Sequence, residues 1–295
     1  MATLIRSISK SGGVVCTAID STDIAAEAER IHKTSATVTA ALGRLLTAAS
    51  LMGVMLKKEE NSITLRLQGD GPAGLLIAVT DGLGNVRGDV ENPVVEIPLN
   101  GAGKLDVAGA VGHSGSLSVV KDLGLKDPYV GQVPIVSGEI AEDITNYYAV
   151  SEQTPTVCAL GVLVNPDLTV QAAGGFLIQL LPGALEEDID RLERNIGNMP
   201  SVTQMLTAGA SPEDMCRRAL AEFDPQMLET VHTAYRCTCS KQRVERALLS
   251  IGRRDLEEMI AEEEHIEVGC HFCGKKYDFS NADLRKLLEK AGQNG

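Results

Sequence analysis

The chain has 295 residues, enough for about two domains. Hydrophobic residues make up 44% of it, so a buried core can form, but aromatic residues account for only 3%, so that core must be mostly aliphatic. The formal net charge of −13 argues against nucleic acid and anionic membranes as partners, because phosphate groups are bound mainly by clustered Lys and Arg.

The start of the sequence bears on where the protein works. Residues 1–13, MATLIRSISKSGG, contain no long apolar stretch, so we expect no signal peptide and a cytoplasmic protein, in which thiols stay reduced. The best candidate for a membrane span is residues 37–56, but Arg44 interrupts it and the pattern is more typical of a buried helix. We therefore expect no membrane partner.

Residues 1–180 predict one α+β core domain. Strands cluster between helices without strict alternation of the two, which disfavours a doubly wound parallel sheet. Apolar periodicity and turn residues predict, in chain order, one or two helices in 20–60 with Asp20 or Ser21 as N-cap, a strand in 61–71, two strands in 73–91, short strands in 103–112 and 115–123, a helix in 137–153 capped by Ser137, and a hairpin in 154–182 that turns at Asn165 and Pro166.

Residues 181–236 differ in character and predict a helical linker. Glycines and prolines break this stretch into short helical segments, at Gly197, Pro200, Gly209 and Pro225. Four of the eight methionines in the chain also lie here, namely Met199, Met205, Met215 and Met227. Methionines at helical spacing usually fill a core, but their flexible, polarisable side chains also suit a surface that binds many partners. The sequence leaves both interpretations open.

Residues 237–295 predict a small domain with a thin core. One helix begins after Ser240 and stops at Gly252, and the last helix opens with a capping box formed by Ser280 and Asp283. The side chains that we expect to face the core are Val244, Leu248, Ile251, Leu256, Met259 and Ile260. Ten Lys or Arg and eleven Asp or Glu make up much of the rest. A domain this small and polar usually needs a metal or a disulfide to stabilise it.

Two cysteine pairs lie in this domain. Cys237 and Cys239 form a C-x-C pair, and Cys270 and Cys273 form a C-x-x-C pair on a turn flanked by glycines. Thiolates are ligands that zinc prefers, and a structural zinc site takes four ligands in a tetrahedron. The C-x-C pair is the unusual half, because alternate positions converge on one ion only if the backbone bends. The four cysteines together predict one closed zinc site.

The remaining cysteines and the histidines show no comparable pattern. Cys16 and Cys158 lie in apolar strand contexts and Cys216 lies on a helix, so core packing is favoured for all three. His265 and His271 are expected to flank the site without binding, since four sulfurs fill the tetrahedron. The other histidines carry no partner pattern that indicates catalysis: His32, His113 and His232.

The spacing of the cysteines, CTCSKQRVERALLSIG followed by VGCHFCGKKYDFS, closely resembles the redox-switch domain of the 33-kDa redox-regulated heat-shock chaperonin family. The resemblance extends over nearly the whole chain. Other segments similar to that family are LQGDGPAGLL, GNVRGDVENP, NYYAVSEQTP and AGGFLIQLLPGA. One departure is Asp89, at a position where many relatives have Tyr.

This resemblance implies a chaperone that is not an enzyme, a holdase that binds unfolding proteins under oxidative stress. It implies that Cys237, Cys239, Cys270 and Cys273 bind one zinc ion per chain in the reduced, inactive form. It further implies that oxidation pairs Cys237 with Cys239 and Cys270 with Cys273, releases the zinc and activates the protein. The active form is expected to be a homodimer.

Three other classes of protein share some of these features. A thiol oxidoreductase also uses C-x-x-C, but usually at the start of a helix in a βαβ unit. A zinc-ribbon module that binds nucleic acid would share the cysteines, but it should carry a basic face bearing aromatic side chains. A catalytic zinc enzyme needs an open coordination position, which four sulfurs would close.

Overall fold

The computed structural model describes residues 1–262 and 265–293, with side chains as far as residue 289. The chain divides into two compact units, Met1–Arg236 and Cys237–Gly295. The first unit contains the residues of the predicted core domain and of the predicted linker. Its elements are β1 (Ala2–Ile8), β2 (Val14–Asp20), α1 (Thr22–His32), α2 (Ala36–Gly53), β3 (Ser62–Gly69), β4 (Leu75–Asp81), β5 (Val86–Val90), α3 (Val107–Val111), β6 (Gly115–Asp122), β7 (Tyr129–Pro134), α4 (Ala141–Tyr147), a π-helical turn (Tyr148–Glu152), β8 (Thr156–Val164), β9 (Val170–Leu180), α5 (Glu186–Gly197), α6 (Val202–Thr207), α7 (Pro212–Ala219) and β10 (Gln226–Thr233).

Two antiparallel sheets of five strands each form the frame of the first unit. The first sheet has the order β10-β1-β2-β9-β8, and the second has the order β5-β4-β3-β6-β7. Neighbouring strands within each sheet run antiparallel. The prediction of an α+β fold is confirmed, as are the two helices in 20–60 and the hairpin in 154–182.

Helix α2 is the central core element of the first unit. It contacts strands of both sheets, and nearly all of its side chains are buried. It is long and apolar enough to span a membrane, but 89% of it is buried inside the protein, which identifies it as a core helix. Arg44, which interrupts its apolar sequence, forms an ion pair with Glu139. The charge is therefore compensated where the helix meets the surface.

A second apolar cluster lies on the other face of the first sheet, under helices α5–α7. Buried side chains of the strands, among them Ile5, Val14, Phe176 and Ile178, meet buried side chains of the helices. Met205 and Met215 are fully buried there, and Met199 and Met227 pack against the same cluster. In this structure the methionines of residues 181–236 fill a core.

Two local predictions are wrong. Residues 103–112 were expected to form a short strand, but Val107–Val111 is helical, because the carboxylate of Asp106 accepts a hydrogen bond from the amide of Gly109 at 3.0 Å and caps a turn. Ser137 was expected to cap the next helix, which instead begins at Ala141.

The buried carboxylate of Asp143 organises the start of α4 in place of Ser137. It accepts four backbone hydrogen bonds at 2.8–3.1 Å, from Val136, Ser137, Gly138 and Ile140. The donors precede Asp143 by three to seven residues, so the chain curls around one acceptor. A serine hydroxyl could not satisfy as many amides.

The second unit is small and built around few apolar side chains. Its described elements are α8 (Lys241–Ser250), α9 (Arg253–Glu262), β11 (His265–Gly269), β12 (Lys276–Ser280) and α10 (Asn281–Gln293). Strands β11 and β12 pair antiparallel. The buried side chains of its core are Leu248, Leu256, Tyr277, Phe279, Leu284 and Leu287.

The helix ends of this unit largely match the sequence prediction. Ser240 accepts a hydrogen bond from the amide of Arg243 at 3.3 Å, and Ser280 and Asp283 cap α10 reciprocally. Ile251 was expected to face the core but is 43% exposed, because α8 ends at Ser250 and Ile251 lies in the turn that follows.

Candidate metal centre

The two cysteine pairs reach one place in the second unit from different local structures. Cys237 and Cys239 lie in a stretch without helix or strand just before α8, whereas Cys270 and Cys273 lie in the turn that joins β11 to β12. Both sulfurs of this C-x-C pair nevertheless lie close to the sulfurs of the turn.

Backbone hydrogen bonds fix the turn that carries Cys270 and Cys273. The amide of Cys270 donates to the carbonyl of Lys275 at 2.9 Å, and the amides of Cys273 and Gly274 donate to the carbonyl of Cys270 at 3.2 and 2.8 Å. Gly274 has a φ of +68°, which favours glycine. Gly269 is the last residue of β11 and pairs with Lys276. Of the two flanking glycines, only Gly274 adopts the positive φ that favours glycine.

The four sulfurs form a compact cluster. The Sγ atoms of Cys237 and Cys270 are 3.7 Å apart, those of Cys239 and Cys273 are 3.4 Å apart, and all four lie within 4.8 Å of one another. Sulfurs around one zinc ion should be about 3.8 Å apart, since Zn–S bonds measure about 2.3 Å and meet at tetrahedral angles. The cluster therefore has the size and the donor set of a four-thiolate zinc site.

This cluster stands apart from other acidic or histidine side chains. Among the described residues, it is the one group of three or more Cys, His, Asp or Glu side chains that could hold a metal ion. It contains neither His265 nor His271, both of which are exposed. All four cysteines are half-buried, so water and small solutes can reach the site.

Tyr277 contacts the cluster directly. Its hydroxyl donates a hydrogen bond to Sγ of Cys239 at 3.1 Å, while its ring packs in the small core of the second unit. The ammonium group of Lys275 lies 5.2 Å from the centre of the same ring. Hydrogen bonds of this kind orient metal ligands and adjust their basicity. Tyr277 is not among the site residues predicted from the sequence, although its place four residues after Cys273 indicates that it lies near the site.

The thiols of Cys237, Cys239 and Cys273 differ in acidity. Burial raises the pKa of Cys237 to about 12 and also raises that of Cys273. Burial acts in the same direction on Cys239, but hydrogen bonds from Tyr277 and the neighbouring cysteines outweigh it and lower the pKa of Cys239 to about 7. A thiolate reacts with oxidants far faster than a thiol does. Of these three thiols, Cys239 ionises most readily near neutral pH.

The other three cysteines lie in the first unit and are less suited to reaction. Cys16 and Cys216 are fully buried in the cluster under α7, and Cys158 packs against the main core. Burial raises the pKa of Cys158 to about 12. These positions agree with the prediction that the three cysteines pack in cores.

One histidine has partners that the sequence did not indicate. His32 lies with Nε2 3.2 Å from the hydroxyl of Tyr235 and with Nδ1 3.7 Å from a carboxylate oxygen of Asp89. Burial lowers the pKa of His32. Asp89 thus faces a buried imidazole. Nothing at this group resembles a nucleophile with its base, since the tyrosine hydroxyl binds backbone atoms of Gly88.

Comparison with known proteins gives consistent results. A family model described as "Hsp33 protein" matches residues 2–280. A protein from Clostridioides difficile named 33 kDa chaperonin is 47% identical over 97% of this chain and 98% of its own length, and one of the same name from Lachnoclostridium phytofermentans is 48% identical over 98% of each. The crystal structure of a 33 kDa chaperonin from Thermotoga maritima superimposes with a TM-score of 0.88, at 39% identity and over 99% of both chains.

Removing one sulfur tests the metal site. We expect Cys270→Ser to abolish tight zinc binding, because three thiolates and a neutral hydroxyl make a much weaker site. Cys158→Ser is the matched control and should bind zinc like the unchanged protein, since Cys158 lies in the first unit. Zinc content after dialysis, measured by atomic emission, distinguishes the two variants. Full zinc retention by Cys270→Ser would remove this residue from the ligand set.

Removing the hydroxyl of Tyr277 tests its effect on the site. We expect Tyr277→Phe to bind zinc about 10–100-fold more weakly, because it loses the hydrogen bond to Cys239 and keeps the buried ring. Tyr129→Phe is the control, since it removes a hydrogen bond to Ser151 in the first unit. Competition against a chromophoric chelator measures both affinities. Equal affinities would show that Tyr277 only fills the core.

Proposed function

Because the chain belongs to the Hsp33 family, we propose that it is a redox-regulated chaperone that holds unfolding proteins and so prevents their aggregation under oxidative stress. The chaperone class follows from the family; the redox control is our proposal. The observation that carries it is the cluster of four half-buried sulfurs in a unit with a small apolar core. Such a cluster can exist in two chemical states, one bound to a metal and one oxidised.

In the reduced state, Cys237, Cys239, Cys270 and Cys273 would bind one zinc ion. The bound ion would supply the positive charge that lets four thiolates lie side by side, and with it most of the stability of the unit. Structural zinc contributes about 10–16 kcal/mol of apparent folding free energy in small zinc-binding peptides. A whole domain is stable by only about 5–15 kcal/mol. The folding of the second unit would therefore depend on its four ligands.

Oxidation would convert the four cysteines into two disulfides. A thiolate attacks a hydroperoxide and becomes a sulfenic acid, and one water or alcohol molecule is released. A second thiolate then attacks the sulfenic sulfur, and the sulfenic oxygen leaves as water with protons from the solvent. Each disulfide thus forms with the loss of two electrons from its cysteine pair to the hydroperoxide. Disulfide sulfurs are poor zinc ligands, and the oxidised residues would no longer hold the ion.

We propose that the disulfides are Cys237–Cys239 and Cys270–Cys273. The distances do not select this pairing, because all four sulfurs lie within 4.8 Å. Partners close in sequence are favoured once the unit loosens, since short loops close at the lowest entropic cost. Such short loops constrain the unfolded chain little and cannot replace the stability that the metal supplies. Oxidation would therefore unfold the second unit.

Residues 181–236 would act as a linker that responds to this unfolding. Helices α5–α7 cover one face of the first sheet, and the apolar cluster beneath them is separate from the main core. Loosening of the linker would expose that face, together with the four methionines. An apolar surface of this kind suits partly folded proteins, whose own apolar side chains are exposed. We place the protein in the cytoplasm and expect the active form to be a homodimer, which sedimentation of the oxidised protein would reveal.

The alternative functions have less support. The C-x-x-C pair lies between two antiparallel strands and not at the start of a helix, which disfavours a thiol oxidoreductase. The near balance of charge in residues 237–295 disfavours a zinc ribbon that binds nucleic acid. Neither class accounts for the likeness of the whole chain to 33 kDa chaperonins.

The first experiment measures zinc and chaperone activity in the same samples. We expect peroxide treatment at mildly elevated temperature to release one zinc ion per chain and to produce suppression of light scattering from a heat-aggregating client. The reduced protein should suppress little. Cys158→Ser should switch like the unchanged protein, because its thiol is not part of the cluster.

Two results would contradict this proposal. If zinc stayed bound after oxidation, the cysteines would form a structural zinc site without a role in redox control. Suppression that is equal before and after peroxide would separate the chaperone activity from the redox state.

A further inference from the structure

Residues 226–236, which we call the strap, close the edges of both sheets. The first part of the strap, β10, pairs antiparallel with β1 from Gln226 opposite Ile8 to Thr233 opposite Ala2. Because β10 is the end of the first sheet, its removal would leave β1 as an open edge.

The second part of the strap binds the end strand of the second sheet. The amide of Val86 donates to the carbonyl of Ala234 at 3.0 Å, and the amide of Arg236 donates to the carbonyl of Val86 at 2.7 Å. The hydroxyl of Tyr235 donates to the carbonyl of Gly88 at 2.9 Å and accepts from the Gly88 amide at 3.2 Å. Tyr235 therefore fastens the strap to β5.

The strap is held mainly by backbone hydrogen bonds. Of the β10 side chains, only Thr233 is fully buried, and Leu228 is 53% exposed. The pairing is irregular between Arg6 and Ser7, and one ion pair, Arg6 to Glu229 at 2.6 Å, ties the strand laterally. Strands with few buried side chains open at low free-energy cost.

The place of the strap in the chain links it to the switch. It ends at Arg236, the residue before Cys237, so the strap is the last piece of the first unit before the proposed zinc ligands. If the second unit unfolded, the chain after residue 236 would become free to move. The end of the strap would then be held only by its own bonds within the first unit, such as those to β5.

We propose that the strap occupies the binding site of an extended segment of the client, which pairs with the open edge of β1 after oxidation. The shape of the strap indicates what would replace it. The strap is an extended chain, and its partly buried Val231 and Met227 pack against the two cores on opposite faces of the sheet. An unfolded protein offers many such segments with alternating apolar side chains, and an open edge supplies the hydrogen bonds that they lack. This inference rests on the proposed function, since it requires a client and a switch.

A covalent lock on the strap tests the proposal. Thr3 and His232 face each other across β1 and β10, so Thr3→Cys with His232→Cys should form a disulfide that keeps the strap in place. The control is Thr156→Cys with Gln179→Cys, which locks β8 to β9 elsewhere in the first sheet. The probe is a permanently unfolded, carboxymethylated protein, and peptide mapping verifies each disulfide.

We expect both locked proteins to release zinc when oxidised. Only the protein with the lock between positions 3 and 232 should bind the probe more weakly than the oxidised unchanged protein, by about tenfold or more. Equal binding by both locked proteins would overturn the inference and leave the proposed function intact. Failure of the oxidised unchanged protein to bind the probe would instead contradict the proposed function.

Loosening the strap gives the opposite test. Tyr235→Phe removes the hydrogen bonds to Gly88 and His32 but keeps the ring. We expect amide hydrogen exchange in residues 226–236 of the reduced, zinc-loaded protein to become about tenfold faster, and the affinity of this form for the unfolded probe to rise by a similar factor. Tyr129→Phe should change neither. Faster exchange without tighter binding would show that the strap does not compete with the probe.

Discussion

The closeness of four sulfur atoms is the constraint on which the rest of the molecule depends. Four thiolates within 4.8 Å of one another repel unless a cation lies among them, and four thiols at that distance are positioned to form disulfides. The surrounding unit has a core of few side chains and cannot hold such a cluster by apolar burial alone. On our proposal the same arrangement would hold a metal when reduced and lose it when oxidised. Among the described core residues, Tyr277 joins packing to the chemistry of the site, because its ring is buried and its hydroxyl bonds Cys239.

The first unit contains two separate apolar clusters, and our proposal requires the smaller one to open first. Its main core surrounds α2 and lies between elements of both sheets, whereas a separate cluster lies under α5–α7 on the other face of the first sheet. Two clusters that share a sheet but few side chains can have different stabilities. The methionines of residues 181–236 belong to the second cluster, and our proposal adds that this segment loosens on oxidation.

The prediction from sequence succeeded where local chemistry decides structure. Ser240, Ser280 and Asp283 cap helices as expected, because a capping side chain bonds an amide only a few residues away. It failed at Val107–Val111 and at Ser137, where a nearby carboxylate, of Asp106 or Asp143, accepts the backbone amides and decides where the helix begins. It also missed β1, β7 and β10, since the partner of β10 lies more than 200 residues away.

The sequence by itself determined the chemistry of the site: the residue types, their spacing and the nearness of each pair, because ligand identity is a property of the side chain and each pair lies on one short stretch of backbone. The α+β class also followed from the pattern of apolar residues. Only the tertiary structure decided that both pairs meet at one point, that Tyr277 bonds Cys239, and that Tyr235 fastens residues 226–236 to a second sheet. These contacts join segments far apart in the chain, and their existence depends on how whole elements pack, which no local pattern encodes.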